Sequence, residues 1–191
     1  VGELGQSIVP MINTLFEKPW RIVHIAGHGA QGAPGKPGGV VLSNGTFLGP
    51  DEIRSMRVVP ELVFVNCCHL GRGDETQLLN TRYDRVRFAS GVAGALIEIG
   101  VRCVIAAGWA VEDDAASEFA SSFYASLLRG HSFVDAVGEA RAAAYERSPG
   151  GNTWAAYQCY GDPDWRFRPQ PLDANQTGGN VEDFSGVASA A

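Results

Sequence analysis

A histidine and a cysteine brought to the same rim of a parallel sheet are the parts of a thiol–imidazole nucleophile. This chain has both in suitable places. His28 and Gly29 close the apolar run Arg21-Ile22-Val23-His24-Ile25-Ala26-Gly27, and Cys67 and Cys68 close Glu61-Leu62-Val63-Phe64-Val65-Asn66. Both runs are rich in Val, Ile, Leu and Phe and short enough to be buried parallel strands. In open α/β sheets functional groups collect at the carboxyl ends of the strands, where His28 and Cys68 both fall. Cys67 then goes to the core as a small hydrophobe and Cys68 to the rim as nucleophile, because neighbours on an extended chain point to opposite faces.

The same residues invite other chemistries, each weaker on context. Gly27-His28-Gly29-Ala30-Gln31-Gly32 spells a dinucleotide fingerprint with Asp51 downstream, but its third glycine must open a helix, and Pro34 and Pro37 follow at once. His24 and His28 have a metal-pair spacing only on a helix. On a strand they share a face yet lie roughly 13 Å apart, so His24 reads as a hydrogen-bonded core histidine. Cys67-Cys68-His69 cannot converge on one ion from an extended chain.

Several elements must position the pair. Residues 5–16 read as a short helix interrupted by Pro10, and residues 29–39 as a loop dense in Gly and Pro. Val40-Val41-Leu42 and Thr46-Phe47-Leu48 flank Ser43-Asn44-Gly45, a hairpin signal. Pro50-Asp51-Glu52 opens a helix ending near Met56. Residues 71–85 read as an exposed polar loop that could gate a cleft beside Cys68, or as ordinary surface. Residues 86–99 carry Phe88, Val92, Leu96 and Ile99 on one helical face closed by Gly100. Strands at 101–107 and 155–160 enclose helices at 114–128, with Phe119, Phe123, Leu127 and Leu128 inward, and at 132–147. This alternation predicts an α/β sandwich with a mostly parallel sheet.

Composition narrows the class. The chain has 191 residues, 45% hydrophobic and 19% charged, with a net charge of −6. That describes one globular domain and argues against nucleic acid or an anionic membrane as partner. No apolar stretch reaches membrane-span length. Cys103 and Cys159 sit inside apolar runs and do not form a disulfide framework, which points to a reducing, cytoplasmic setting. A chain opening on Val1 reads as part of a longer protein, and residues 169–191, rich in Gly, Ala, Asn and Ser, read as a flexible tail.

Taken together, the motifs resemble the CHAT family of caspase-like cysteine peptidases, relatives of caspases and separases. The resemblance rests on His24-Ile25-Ala26-Gly27-His28-Gly29, Leu62-Val63-Phe64-Val65-Asn66-Cys67-Cys68-His69-Leu70-Gly71, Gly108-Trp109-Ala110-Val111-Glu112-Asp113-Asp114, the Phe-x3-Phe-Tyr-x-x-Leu-x-x-Gly pattern of 119–130, and Tyr157-Gln158-Cys159-Tyr160-Gly161-Asp162-Pro163. It implies that residues 1–168 form a caspase-like three-layer sandwich and that a protein substrate is hydrolysed at a peptide bond. Cys68 is then the nucleophile, His28 the base and acid, and the backbone N–H groups of Gly29 and Cys68 the oxyanion hole, with no metal or cofactor.

Trp109-Ala110-Val111-Glu112-Asp113 resembles the separase-like Trp-x-Val-x-Asp, which implies a substrate pocket of Asp113, Trp109 and Glu112 for a basic residue. The acids equally suit the amino end of the following helix. Caspase-like domains usually carry strands upstream of the histidine, so the sheet should have an open or covered edge here. Upstream regulatory or sensor repeats are a further expectation of the family. A catalytically silent caspase-like interaction module is the rival reading.

Overall fold

The structure, a computed structural model, describes residues 19–30, 39–41, 47–67 and 89–169, with backbone only at 28–30, 39, 41 and 47. Within them run β1 (Ile22–Ala30), β2 (Gly39–Val41), β3 (Phe47–Leu48), α1 (Pro50–Arg54) and β4 (Leu62–Cys67). The helical residues 89–98 follow as α2. Then come β5 (Cys103–Ala107), α3 (Asp113–Leu128), α4 (Phe133–Arg147), the single turn α5 (Thr153–Ala156) and β6 (Tyr157–Gly161). The strands lie in the order β3-β2-β1-β4-β5-β6.

The β1, β4 and β5 strands are parallel, and β6 closes this four-stranded core antiparallel to β5. The β4 burial pattern explains the layers. Val63, Val65 and Cys67 point into an aliphatic cluster with Ile53 of α1 and Val92 and Leu96 of α2. Leu62 and Phe64 point the other way, with Cys103 and Ile105, into an aromatic cluster against Phe119, Phe123 and Phe133 of α3 and α4. The period of two on the strands thus feeds two different cores, and a mostly parallel sheet between helical layers results. This is compatible with the caspase-like sandwich expected above.

Local signals set the boundaries. Glu52 reaches back to the N–H of Gly49 (2.9 Å) to open α1 behind Pro50. Ser132 caps α4 by accepting from the N–H of Asp135. Gly100 and Gly130, at φ +103° and +87°, follow α2 and α3 in the left-handed conformation that ends helices.

Several expectations need correction. The β1 strand does not end at His28: it continues to Ala30, changing partner from β4 over residues 22–27 to β2 over 28–30. The segment from the third glycine onward, where a dinucleotide fingerprint needs its helix, lies outside the described residues. The hairpin exists, with Val40 opposite Leu48 and Val41 opposite Phe47, although its tip lies outside the described residues. Leu128 points outward, 56% exposed, because the α3 stripe through Phe119, Phe123 and Leu127 already fills the sheet contact. The last strand starts at Tyr157, since residues 153–156 coil into α5.

His24 sits at the margin of the core rather than inside it: its ring packs against Phe64 and Tyr124 of α3 yet keeps an exposed edge. Among the described residues the other side of 22–27 has no strand partner, consistent with an open edge. The expected helix at 5–16, the loop at 71–85 and the tail from 170 onward lie outside the described residues.

Candidate functional site

The β1–β4 ladder runs from Ile22 opposite Leu62 to Gly27 opposite Cys67. Parallel pairing with no offset sets these ends about 4.8 Å apart, one strand spacing. The next residue of β1 is His28, and the next after Cys67 is Cys68, which lies outside the described residues. Of the expected dyad and oxyanion hole, the structure therefore gives the backbone of His28 and Gly29, on β1 opposite Val41 and Val40. The β4 end is also held from below, where the buried Tyr157 donates its hydroxyl to Oδ1 of Asn66 (3.3 Å).

Three of the four cysteines have settled roles. Cys67 is buried in the aliphatic cluster. Cys103 is wholly buried, donates to the carbonyl of Asp162 (3.4 Å), and burial pushes its thiol up to about 12. Burial likewise pushes the Cys159 thiol up to about 11. Both shifts disfavour the thiolate, the form in which a cysteine acts as nucleophile. Cys67, Cys103 and Cys159 are all free of disulfides.

His24 is occupied elsewhere. Its ring stacks on Phe64 at 4.5 Å and 7°, and Nδ1 lies 3.0 Å from the hydroxyl of Tyr124. Desolvation lowers its pKa and raises that of Tyr124.

Beyond the sheet, the carboxyl end of β5 leads into Trp109, Glu112 and Asp113, the residues expected to line a pocket. Gly108 passes so close to α5 that its N–H donates to the carbonyl of Ala156 (2.8 Å), and a Cβ would stand 3.2 Å from Gln158. Trp109 follows, half-buried, with its indole N–H shut off from solvent and without an acceptor among the described residues.

The three acids that follow are not equivalent. Glu112 accepts from the hydroxyl of Ser148 (2.7 Å) and its own N–H donates to Oγ1 of Thr153 (3.0 Å). Asp114 pairs with Arg147 (2.8 Å). Asp113 is exposed and has no hydrogen-bond or ion-pair partner among the described residues. The side chain of Glu112 makes no cap to α3, so the acids serve that helix end through its dipole alone.

Sequence reading missed Thr153, Ser148 and Gly151, which reach Glu112 across 36 to 41 residues of chain. Only the Gly150-Gly151 pair hinted at a tight turn there.

A second group looks like hydrolase machinery and is not. Oγ of Ser126 and Oε1 of Glu139 both lie 2.9 Å from the same nitrogen, Nδ1 of His131. A relay needs the acid and the hydroxyl on opposite ring nitrogens, and Ser126 is wholly buried. Among the described residues no group of three metal-ligating side chains converges, and no helix is long and apolar enough to cross a membrane.

The sequence matches the family model described as the CHAT domain over residues 8–162. No curated protein sequence matches the chain.

Proposed function

The chain belongs to the CHAT-domain family, a family of caspase-like fold, and on that premise we propose that it is a cysteine endopeptidase cutting a protein substrate after a basic residue. The observation that carries this reading is the ladder that sets Gly27 opposite Cys67. It sends the chain into His28 and Cys68 from adjacent strands at the carboxyl end of the sheet. The burial of Cys67 and Cys103 and the half-burial of Cys159 support it further, since Cys68 is then the remaining cysteine for the chemistry.

In this mechanism the Cys68 thiolate attacks the scissile carbonyl carbon, and the oxyanion is met by the N–H groups of Gly29 and Cys68. His28 protonates the departing amine, leaving a thioester, and then takes a proton from the water that hydrolyses it. Asp113, without a described partner, supplies the charge for a Lys or Arg side chain of the substrate, and Trp109 is the second residue of that pocket.

Peptide electrophiles ending in Arg or Ala, followed by mass spectrometry, test the reading. Covalent capture should fall on Cys68, be faster for Arg, and be lost in Cys68→Ala. His28→Ala should slow it by about 10²–10⁴-fold. Wild-type protein left unlabelled, or labelled at another cysteine, would overturn the mechanism. Capture at Cys68 with no preference for Arg would overturn the pocket alone. A silent interaction module predicts no capture at all.

A further inference from the structure

The three consecutive acids at the amino end of α3 divide by what holds them, and the chain from the end of α4 into α5 does the holding. The α3 helix leaves the carboxyl end of β5 and α4 returns to it, so Arg147 and Ser148 at the end of α4 arrive beside Glu112 and Asp114. Thr153, only 1% exposed, accepts from the N–H of Glu112 and so ties the main chain immediately before Asp113. The Ser148 hydroxyl holds the Glu112 carboxylate, and Gly151 fits against both: a Cβ there would lie 2.7 Å from Oε1 of Glu112 and 2.7 Å from Oγ of Ser148. Arg147 holds Asp114 on the other side. Asp113 is left between two anchored neighbours and bonded to nothing described.

We propose that Thr153, Ser148 and Gly151 are positioning residues that fix the direction of Asp113, and that Glu112 belongs to this clamp and is not a ligand of the substrate. The inference rests on the pocket assigned to Asp113 above. It assigns the specificity for a basic side chain to one carboxylate, held from a segment 35 or more residues away in the sequence. A carboxylate that must meet a guanidinium with both oxygens is sensitive to direction, so a loosened clamp reduces the preference without touching Cys68.

Rates of Cys68 labelling by the Arg-ended and Ala-ended electrophiles give the test. Asp113→Asn should slow the Arg rate by about 10- to 100-fold. Ser148→Ala, Gly151→Ala and Thr153→Val should each slow it by about 3- to 30-fold, with the Ala rate unchanged. Gly151→Ala wedges the Ser148–Glu112 bond apart, so Ser148→Ala added to it should cost nothing more. Thr153→Ser and Glu112→Gln keep the hydroxyl and the acceptor and should retain the Arg preference.

Clamp variants that slow both electrophiles equally, or that keep the full preference while Asp113→Asn loses it, would overturn this inference and leave the pocket standing. Loss of preference in Glu112→Gln would make Glu112 a ligand and overturn it too. Should Thr153→Val fail to fold, Ser148→Ala and Gly151→Ala decide, since both sites are half-buried. An Arg rate unaffected by Asp113→Asn would overturn the pocket and the clamp together.

Discussion

The two ends of the sheet are built on opposite plans. At the amino end, where β1, β4 and β5 begin, polar groups are paired several times over. Arg21 pairs with Glu61, donates to the carbonyl of Arg168 (2.8 Å) and lies over the ring of Phe167 at 4.3 Å. The other carboxylate oxygen of Glu61 accepts from the indole of Trp165 (3.3 Å). The Glu61 carbonyl takes the N–H groups of Arg102 and Cys103, and that of Arg102 takes Asp162.

At the carboxyl end, by contrast, a buried indole N–H finds no described acceptor and a carboxylate stands unengaged. An unpaired buried donor costs about 1–3 kcal/mol. On the proposed function, the closed end serves stability, and the groups left without a described partner at the other end are the ones a substrate would meet.

Substitutions at the amino end should separate stability from chemistry. Gly161→Ala is expected to do most damage. Gly161 has φ +116°, and a Cβ would fall 2.0 Å from the carbonyl oxygen of Arg102, which is backbone and cannot step aside. Strain and overpacking together should cost at least about 2 kcal/mol. Thermal unfolding should show a large fall in Tm, and a Tm within a degree of wild type would contradict the close approach of β6 to β5.

Glu61→Ala comes next. It breaks the Arg21 pair and orphans the Trp165 donor, at about 1–3 kcal/mol, or about 2–4 °C in Tm per kcal/mol in a chain of this size. Folded protein should label at Cys68 as fast as wild type. If labelling falls with Tm held, the division between the two ends is wrong.

Two acid-sensitive groups give smaller effects in different pH windows. Desolvation holds the folded pKa of His24 below its ordinary 6.5. As pH falls, the unfolded chain takes up that proton first, so stability is complete above about 6.5 and declines below it. His24→Phe keeps a ring on Phe64 and should flatten Tm against pH between about 7 and 5. An unchanged slope would remove His24 as the cause.

The smallest effect belongs to Glu139, in the middle of α4. The Ser126 hydroxyl, then His131 and Arg129, hold its carboxyl below the ordinary 4.5. Its contribution is present above about 4.5 and is lost as pH falls through the folded value. Glu139→Gln should therefore lower Tm slightly at pH 6 and match wild type at strongly acid pH. A gap that widened on acidification would reverse the assignment.

Much of this was legible in the residues themselves. Apolar runs of strand length at 62–67 and 103–107, and the spacing of Phe119, Phe123 and Leu127, determined β4, β5 and α3, because side-chain periodicity is a local property that burial only has to accept. The same holds for Gly100 and Gly130 as helix stops, and for the family match through residues 8–162.

Tertiary structure decided what depends on partners distant in sequence. The extension of β1 through Ala30 needed β2 to pair with it, against a Gly-rich sequence that reads as loop. The marginal place of His24, stacked on Phe64 and bonded to Tyr124, depended on what packs beside β1, which alternation alone cannot say. Above all, Glu112-Asp113-Asp114 is one acidic run in the sequence. Only the return of α4 with Arg147 and Ser148, and the start of α5 with Thr153, holds two of its members and leaves the third without a described partner, because a hydrogen bond across 36 residues has no periodic signature in the chain.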